Sequence, residues 1–350
     1  MKKIVFTGGG SAGHVVPNVA LMEELFHEGK TKLYYMGTAG IEKDVLSKWD
    51  FPFYEIECPK LVRGGGLSAW KNNIKIPFSF YRAVRKAEKG LKEISPNLVF
   101  SKGGYVALPV VFAAKRLKIP CFAHESDFTL GLANKLSARK CEAVFTSFPE
   151  TATALKNGKY TGAPVRRGLF LTTKAEGRRF FGIDDKEKVV LVFGGGSGSQ
   201  KINDALKKHL SSLVKDFTIL HVTGRGNLTQ STYKNYKQFE FVADMGMAYA
   251  CADFVVARAG AGTIFETLAL KKPALLIPLE GATRGDQLQN ARYFEKKGLC
   301  HVLREGELSH LDKAIRALSS DEGLIKKLLS SRFESGNARI LSALKTRMQR

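Results

Sequence analysis

Short apolar runs, separated by glycine-rich loops and amphipathic segments, recur along the whole chain. Runs of this length that are rich in Val, Ile, Leu and Phe are typical of strands buried on both faces of a parallel sheet. A segment with helical spacing of apolar residues follows most runs, so the pattern predicts repeated strand–helix units. In the first half the predicted strands are 3–6, 32–36, 53–56, 97–100, 120–123 and 143–146, with 143–146 expected to be the last.

The pattern restarts after Arg167, where a second array of strands and helices begins. Two such arrays in 350 residues predict an α/β protein of two doubly wound, Rossmann-like domains whose parallel sheets face across a cleft. We expect a first domain over 1–163, a second over 164–335, and a C-terminal helix over 336–350 that packs back on the first. In the second array the predicted strands are 188–193, 220–222, 254–256 and 274–278.

The clearest single unit spans residues 253–279. Its first strand ends at the loop 258–262, Thr263 is predicted to cap the following helix, and 271–273 is predicted to end it. In open α/β sheets such a loop lies where ligands bind, and free N–H groups at a helix start favour an anion such as a diphosphate. Glu266, predicted one turn into the helix, is placed to accept hydrogen bonds from a ribose diol. The alternative is a tight turn with a surface glutamate.

A second glycine loop, residues 7–14, follows the first strand and precedes a helix predicted from Pro17 to His27. No Gly-Lys-Ser/Thr triplet ends this loop, which argues against a P-loop NTPase. We expect it to approach a phosphate or sugar closely with His14 projecting into the cleft; a simple turn is the alternative. Residues 124–127 add four polar side chains beyond the strand predicted at 120–123, where α/β enzymes keep their chemistry.

Composition indicates a globular protein, with 44% hydrophobic and 25% charged residues. The five cysteines show no CxxC spacing and no metal pattern with histidine, so reduced thiols in the cytoplasm are expected, and neither a metal nor another cofactor. A secretory leader is not expected, because the first three residues lead directly into a strand. No apolar run approaches membrane-spanning length.

The net charge of +22 predicts an anionic partner: a nucleic acid, an anionic membrane surface or a phosphorylated substrate. A merely solvated basic surface is the alternative, and no recognisable DNA- or RNA-binding motif is present. In residues 60–92 aromatic side chains such as Trp70 alternate with cations, which suits a membrane interface. For most of the helix in that segment, packing of Ile76, Phe80 and Val84 into the core is the preferred interpretation.

Eight short motifs follow one another along the chain: TGGGSAGH at 7–14, GGY at 103–105, HESD at 124–127, GAPVR at 162–166, GGGSGS at 194–199, FVADM at 241–245, RAGAGTIFE at 258–266 and DQLQNA at 286–291. In this order they resemble the bacterial MurG family, the peptidoglycan N-acetylglucosaminyltransferases that convert lipid I into lipid II. The resemblance covers nearly the whole chain. It implies a GT-B fold, with the donor held mainly by the C-terminal domain and the acceptor lipid by the N-terminal domain.

The resemblance also implies the reaction. N-acetylglucosamine would pass from UDP-GlcNAc, with inversion, to the MurNAc C4 hydroxyl of undecaprenyl-diphospho-MurNAc-pentapeptide (lipid I). A soluble protein would do this while bound peripherally to the cytoplasmic, anionic face of the cell membrane, and no nucleic acid is expected as a partner. Another GT-B transferase with a UDP-sugar donor and a lipid-linked acceptor is the alternative.

Position by position, the resemblance assigns roles to individual residues. His14 is the expected general base, with Glu125 either replacing it in that role or orienting it. Arg166 is implied to reach UDP, the backbone at Val242 to contact the uracil, Glu266 the ribose, and Gln287 the sugar hydroxyls. The expected substrate-binding residues are Ser11, Ala12, Gly13, Tyr105, His124, Asp127, Arg166, Gly196, Ser197, Val242, Ala261, Gly262, Thr263, Glu266, Asp286 and Gln287.

Three positions depart from the family pattern. Asp127 replaces a frequent asparagine, Asp286 replaces the first of two glutamines, and Gly196 replaces a serine whose role falls to Ser197 or Ser199. With these changes, the resemblance supports a uridine diphosphate sugar as the class of donor more strongly than it supports GlcNAc as the sugar. A helix start at Thr263 and the Arg166 cation would offset the diphosphate charge, so a metal is not required.

Overall fold

The computed structural model describes residues 1–58, 76–196, 198–281 and 285–349. Its contacts divide the chain into two units. The first unit comprises Met1–Arg166 and Ser335–Arg350, and the second comprises Arg167–Glu334. The chain therefore leaves the first unit after Arg166 and returns to it at Ser335.

The first unit is built on a seven-stranded parallel sheet in the order β3-β2-β1-β4-β5-β6-β7, counted over the described residues. The strand order reverses between β1 and β4, so the loops after these two strands diverge and leave a crevice at the carboxyl edge of the sheet. The strands are β1 Lys2–Thr7, β2 Thr31–Gly37, β3 Phe53–Glu55, β4 Leu98–Ser101, β5 Cys121–Glu125, β6 Ala143–Thr146 and β7 Gly158–Tyr160.

Helices cover both faces of this sheet. Successive side chains of a strand point to opposite faces, and accordingly Ile4 and Phe6 join one buried cluster while Val5 joins the other. The helices are α1 Ala12–Glu28, α2 Ile41–Leu46, α3 Ile76–Ile94, α4 Ala107–Arg116, α5 Leu132–Ser137 and α6 Pro149–Thr153, with a 3-10 turn at Ala138–Lys140.

The last helix, α14 (Asn337–Gln349), belongs to the first unit. Its buried residues Ile340, Leu341 and Leu344 pack in the same cluster as Phe6. Asn337 fixes the start of the helix, because its side chain accepts a hydrogen bond from the N–H of Val165 (2.9 Å) and donates to the carbonyl of the same residue (2.8 Å).

The second unit is built on a six-stranded parallel sheet in the order β10-β9-β8-β11-β12-β13 within its described residues. The strands are β8 Val189–Phe193, β9 Thr218–Val222, β10 Tyr236–Phe239, β11 Phe254–Arg258, β12 Ala274–Ile277 and β13 His301–Val302. The helices are α7 Lys174–Phe181, α8 Gln200–Leu213, α9 Met245–Cys251, α10 Ala261–Ala269, α11 Asp286–Lys296, α12 Leu311–Ser320 and α13 Glu322–Ser330, with 3-10 turns at Arg167–Phe170 and Glu305–His310.

The predicted strands are confirmed in both sheets, but two expectations about the first unit are wrong. Residues 143–146 are not its last strand, because β7 adds a polar, partly exposed edge strand that has no apolar run to predict it. Helix α1 begins at Ala12 and not at Pro17. Pro17 is the sixth residue of α1, so the helix continues through a proline that lacks the N–H donor for one backbone hydrogen bond. In the part of the chain that the structure describes, no helix is long and apolar enough to cross a bilayer.

Candidate functional site

A buried carboxylate and an aromatic ring fix the loop between β1 and α1. Glu42, 1% exposed on α2, accepts hydrogen bonds from the N–H of Gly10 and from the hydroxyl of Thr38, both at 3.1 Å. Gly10 has a φ of +82°, and a methyl group at this position would lie 2.5 Å from Cε1 of Tyr105. Only glycine satisfies both constraints, so the packing of the loop itself requires this residue.

His14 lies in the first turn of α1, directly after this loop. Its Nδ1 is 3.0 Å from the hydroxyl of Ser11, and a methyl group on Gly104, in the loop after β4, would lie 3.1 Å from the same atom. Burial, and then the charge of Lys102, lower the pKa of His14 to about 4, while a hydrogen bond to the Gly9 backbone acts in the opposite direction. The imidazole is therefore neutral at pH 7, the state that accepts a proton.

The carboxylate of Glu125, at the end of β5 and 5% exposed, is engaged by its own chain. Oε1 accepts a hydrogen bond from the N–H of Asp127 at 3.1 Å. Oε2 accepts from the N–H of Gly131 at 2.8 Å and from the side-chain amide of Asn134 at 3.0 Å. These bonds occupy three of the roughly four lone-pair positions of a carboxylate, so Glu125 anchors the turn that follows β5.

His124, the neighbour of Glu125 in β5, is fully buried. Its Nε2 donates a hydrogen bond to the carbonyl of Gly162 at 3.0 Å, which makes Nδ1 the unprotonated nitrogen of the neutral ring. Burial, and then the charge of Lys102, hold the pKa of His124 well below its usual value. His124 is therefore a neutral, buried ring whose hydrogen bond connects β5 to the segment after β7.

The other predicted residues of the first unit lie on the same edge of its sheet. Ser11 and Gly13 are exposed and Ala12 is half-buried at the start of α1, and Asp127 is half-buried in the turn after β5. Arg166 is half-buried, and its charge reaches Glu23: burial raises the pKa of Glu23, and Arg166 opposes that rise. Ser11, His14 and Tyr105 are thus brought together around one loop.

A cavity of about 420 Å³ lies at the carboxyl edge of the sheet in the second unit. Its volume falls in the range of small-molecule sites. Two glycines shape its wall, since a methyl group on Gly194 would lie 2.3 Å from the Ser199 nitrogen and one on Gly198 would lie 2.4 Å from the Thr223 carbonyl oxygen. The lining includes Gly194, Gly198, Ser199, Thr263, Gln287 and Glu305.

Arg258 is the buried cation at the base of this cavity, 8% exposed at the end of β11. It forms an ion pair with Glu305 at 2.7 Å, and it donates a hydrogen bond to the hydroxyl of Ser199 at 2.8 Å. Glu305 also pairs with Lys201 at 2.6 Å. Burial raises the pKa of Glu305, but its hydrogen bonds from Lys201 and Arg258 outweigh burial and leave the pKa lowered. Arg258 therefore connects the loop that contains Ser199 to the turn that contains Glu305, and Glu305 compensates its charge.

The N-cap of helix α10 lies three residues earlier than the sequence pattern predicts. Gly260 is its N-cap and provides no side-chain bond, so the expectation that Thr263 caps the helix is wrong. Thr263 is the third helical residue and lines the cavity, while Ala261 is buried and Gly262 is exposed. With no side chain capping them, the first N–H groups of α10 remain available to an anion.

Glu266 is half-buried in α10 and is oriented by Tyr249, whose hydroxyl donates to its Oε2 at 3.1 Å. Because α10 begins at Ala261, Glu266 is the sixth residue of the helix and lies in its second turn. Val242 is 7% exposed and precedes Asp244, which caps α9 through the N–H of Gly246 at 2.8 Å.

The three positions that depart from the family pattern are distributed between the two units. Asp286 is the first residue of α11, and the next residue, Gln287, accepts a hydrogen bond from the N–H of Leu279 at 2.9 Å. Gly196 is exposed in the loop after β8, and Ser197 lies outside the described residues. Ser199, the other candidate for the serine role, has its hydroxyl engaged by Arg258.

Sequence reasoning missed three buried charged residues at these sites: Glu42, Lys102 and Arg258. Glu42 is hydrogen-bonded to a residue 32 positions away in the sequence, and Arg258 to one 59 positions away, so no local pattern marks either of them. Lys102 did carry a signal, because it follows a buried strand directly and precedes two glycines. Over residues 1–58, 76–196, 198–281 and 285–349, no group of three or more His, Cys, Asp or Glu side chains could hold a metal ion.

Comparison with known proteins identifies the family. The N-terminal domain of glycosyltransferase family 28 matches residues 4–146, and the C-terminal domain of the same family matches residues 189–337. A protein of Clostridium tetani, named UDP-N-acetylglucosamine–N-acetylmuramyl-(pentapeptide) pyrophosphoryl-undecaprenol N-acetylglucosamine transferase, is 42% identical over 98% of this chain and 97% of its own. The chain belongs to this transferase family. A Clostridium perfringens protein of the same name is 40% identical over 98% of both chains.

Solved structures support the fold. MurG of Acinetobacter baumannii superimposes with a TM-score of 0.76 at 24% identity, covering 99% of this chain and 100% of its own. The glycotransferase of kitacinnamycin superimposes with a TM-score of 0.73 at 14% identity, covering 99% and 98%. The predicted GT-B fold with two Rossmann-like domains and the predicted membership of the MurG family are both confirmed.

Proposed function

We propose that this protein is an inverting glycosyltransferase that moves N-acetylglucosamine from UDP-GlcNAc to the MurNAc C4 hydroxyl of lipid I, forming lipid II for peptidoglycan synthesis. The observation that carries the proposal is the 42% identity to a transferase with this name over nearly the full length of both chains. The shared length matters because the donor is assigned to the second unit and the acceptor to the first, so that only a match over both units covers the whole reaction.

The donor is assigned to the cavity of the second unit. The uncapped N-terminus of α10 supports this assignment, because its N–H groups can bind a diphosphate. Glu266, oriented by Tyr249, is assigned to the ribose diol, and the backbone at Val242 to the uracil. The amide of Gln287, held through its Oε1 by Leu279, presents its Nε2 as a donor to the sugar hydroxyls.

The acceptor proton is assigned to His14. The half-buried ring is neutral at pH 7 because its pKa is lowered to about 4, and its position after the first glycine loop leaves it at the carboxyl edge of the sheet. Glu125 is the weaker candidate, since three hydrogen bonds already occupy its carboxylate. A low pKa makes His14 a weak base in the ground state, so proton transfer would accompany bond formation to the anomeric carbon and not precede it.

Departure of UDP requires that its developing negative charge be stabilised. The N-terminus of α10 and the guanidinium of Arg166 are assigned to this task, and fixed dipoles of this kind stabilise charge without reorganising. The proposed transfer therefore needs no metal and no other cofactor: the acceptor oxygen bonds to the anomeric carbon, the bond to the diphosphate breaks, and His14 takes the proton.

Peripheral binding to an anionic membrane is assigned to the region around α3. Phe78 and Tyr81 are 67% and 53% exposed there, beside the exposed cations Arg82 and Lys86. Exposed rings next to cations suit the headgroup region of a bilayer. Val84, 4% exposed, packs in the core as expected, whereas Trp70 and the cations at 60, 63, 71 and 75 lie outside the described residues.

A donor panel tests the proposed substrate. The full chain is supplied with lipid I and with UDP-GlcNAc, UDP-GalNAc or UDP-glucose, and kcat/KM for UDP release is measured with each. We expect UDP-GlcNAc to give the highest value. A clear preference for another donor would favour the alternative, a related transferase whose sugar is chosen by Asp127, Asp286 and Gly196. A salt-resistant gel shift with DNA or RNA would contradict the assignment of the positive charge to membrane and substrate.

A further inference from the structure

A buried histidine of the second unit connects β9 to the first turns of α8. His221, the fourth residue of β9, is 1% exposed. Its Nε2 lies 3.0 Å from Oδ1 of Asn203 in α8, and its Nδ1 lies 2.8 Å from the hydroxyl oxygen of Tyr236 in β10. Each nitrogen of this buried ring is therefore hydrogen-bonded to a side chain from a different element.

The partners of this ring fix the direction of each hydrogen bond. Asn203 donates through Nδ2 to the carbonyl of Thr223 at 3.0 Å, so its Oδ1 is the acceptor that faces His221. Nε2 of His221 must therefore carry the ring proton. Burial lowers the pKa of His221 to about 4, so the ring is neutral at pH 7 and its Nδ1 accepts a hydrogen bond from Tyr236. The network runs in one direction, from the hydroxyl of Tyr236 to the carbonyl of Thr223.

The carbonyl at the end of this network packs against the wall of the cavity. Thr223 follows β9 directly and is 1% exposed. Gly198 has a φ of +77°, and a methyl group on it would lie 2.4 Å from the carbonyl oxygen of Thr223. Asn203 also donates its backbone N–H to the carbonyl of Ser199 at 2.9 Å. Since Gly198 and Ser199 both line the cavity, Asn203 contacts this part of the wall from two directions.

We propose that His221 is a positioning residue for donor binding, because it holds the side chain of Asn203 and so sets the position of the Gly198–Ser199 segment. The inference rests on the proposed function for the identity of the donor. Helix α8 begins directly after this segment and has no side-chain cap, so its first N–H groups are available to a diphosphate. His221 is not among the described residues that line the cavity, so it acts through Asn203 and not by touching the donor.

Calorimetric titration with UDP tests the proposal in the full chain. His221→Leu removes both hydrogen bonds of the ring and leaves the amide of Asn203 free to turn. The dissociation constant of UDP should then rise about tenfold, which is the effect of losing one buried hydrogen bond. In His221→Gln the side-chain amide can donate in place of Nε2, so the dissociation constant should stay within about threefold of the parent's value.

Thr218→Val is the matched control for a loss of stability. Thr218 lies in the same strand at the end remote from the cavity, is 2% exposed, and donates its hydroxyl to the carboxylate of Glu187. Urea unfolding should show a loss of stability in Thr218→Val and in His221→Leu, because each removes a buried hydrogen bond of β9. Only His221→Leu should weaken UDP binding, whereas a purely structural role would leave the affinity of both variants unchanged.

The transfer assay separates positioning of the donor from catalysis. His221→Leu should raise the donor KM while kcat at saturating donor stays within about threefold, as expected when binding is lost equally in the ground and transition states. Amide exchange supplies a readout that needs no donor. The N–H of Asn203, bonded to Ser199, should exchange at least about threefold faster in His221→Leu than in the parent, and unchanged in Thr218→Val.

Two results would overturn the proposal: an unchanged UDP dissociation constant in folded His221→Leu, or an equal rise in Thr218→Val. If His221→Leu does not fold, Asn203→Ala removes the last bond of the same network and takes its place in each comparison. Failure of the proposed function is a separate result. A parent that binds UDP but transfers no GlcNAc leaves the UDP comparison intact, and a parent that binds no UDP leaves the exchange at Asn203 to decide whether His221 positions the segment.

Discussion

The glycine loops after β1 and after β8 lie in different electrostatic surroundings. In the first unit, the loop after β1 is contacted by the buried residues Glu42 and Lys102 and ends at a neutral His14. In the second unit, the loop after β8 borders a cavity that the uncapped N-terminus of α10 also lines. The buried charge there, Arg258, is compensated by Glu305.

In the proposed function, two similar folds hold a proton acceptor in the first unit and an anion in the second. Backbone N–H groups bind a diphosphate without changing protonation, so the second loop needs little titratable chemistry. A proton acceptor needs a side chain whose charge is set by its surroundings, and the first loop has such surroundings. Mutations in the first loop should therefore change turnover, and mutations in the second should change donor affinity or stability.

The largest effect is expected for His14→Ala. Loss of a general base lowers turnover by about 10²–10⁴-fold, while the affinity for UDP should change little because the diphosphate is assigned to other groups. An assay of product formation measures turnover, and calorimetric titration with UDP measures the affinity separately. Ser11→Ala is the matched control; it removes one hydrogen bond to His14 and should cost less than about tenfold. A large rise in donor KM with intact turnover would make His14 a binding residue and move the base to Glu125.

Arg258→Met should have the largest effect on stability. The substitution leaves Glu305 without its buried partner and Ser199 without its donor, and breaking a buried ion pair costs about 3–5 kcal/mol. Lys201→Met removes the other partner of Glu305. Because the Lys201 side chain is 63% exposed, this substitution should lower the free energy of unfolding by no more than about 1 kcal/mol. Urea unfolding followed by a probe in the second unit measures both. Equal, small losses would show that Arg258 does not hold the cavity together.

Glu266→Ala should weaken UDP binding by about 1.5–3 kcal/mol, the range for hydrogen bonds to a charged group. Tyr249→Phe keeps the carboxylate and removes the hydrogen bond from the tyrosine hydroxyl, so the loss of UDP affinity should be smaller, about 0.5–1.5 kcal/mol. Calorimetry with UDP measures both, and circular dichroism checks folding. An unchanged dissociation constant in folded Glu266→Ala would remove this residue from the donor site.

The smallest effect per residue is expected at the membrane. Neutralising cations near an anionic bilayer should weaken binding by up to about 1 kcal/mol per charge, and salt should release the parent from vesicles. Sedimentation with vesicles containing anionic lipid compares two fourfold Gln variants: one at Lys60, Arg63, Lys71 and Lys75, and a control in the second unit at Lys207, Lys208, Lys215 and Lys234. If both variants bind like the parent, or only the control is weakened, the membrane face is elsewhere.

Much of the fold was predictable because its strands are buried on both faces and appear as apolar runs. The errors fall where that signal is weak. β7 is a three-residue polar edge strand, and α1 contains Pro17 as its sixth residue, where the proline removes one helical hydrogen bond but does not mark the start of the helix. The start of α10 was misplaced because Thr263 looked like a cap, whereas Gly260 occupies that position with no side chain at all.

The candidate site was predictable only as far as its motifs reach. His14, Glu125 and Glu266 stand in motifs and could be assigned from them, although the engagement of Glu125 by Asn134 depends on a turn that no local pattern encodes. The buried charges Glu42 and Arg258 were missed because their partners are remote in sequence. Burial, followed by the charge of Lys102, lowers the pKa of His14, and single-sequence patterns contain neither the burial nor the neighbouring charge.

Analysis of the transfer product tests the proposed reaction most directly. The full chain is incubated with lipid I in vesicles containing anionic lipid and with UDP-GlcNAc labelled at the anomeric carbon, and the lipid product is examined by NMR. We predict one equivalent of UDP per product and a lipid-linked disaccharide whose new bond, to the MurNAc C4 oxygen, has the β configuration. Hydrolysis of UDP-GlcNAc without incorporation, or a product with the α configuration, would contradict an inverting transfer to lipid I.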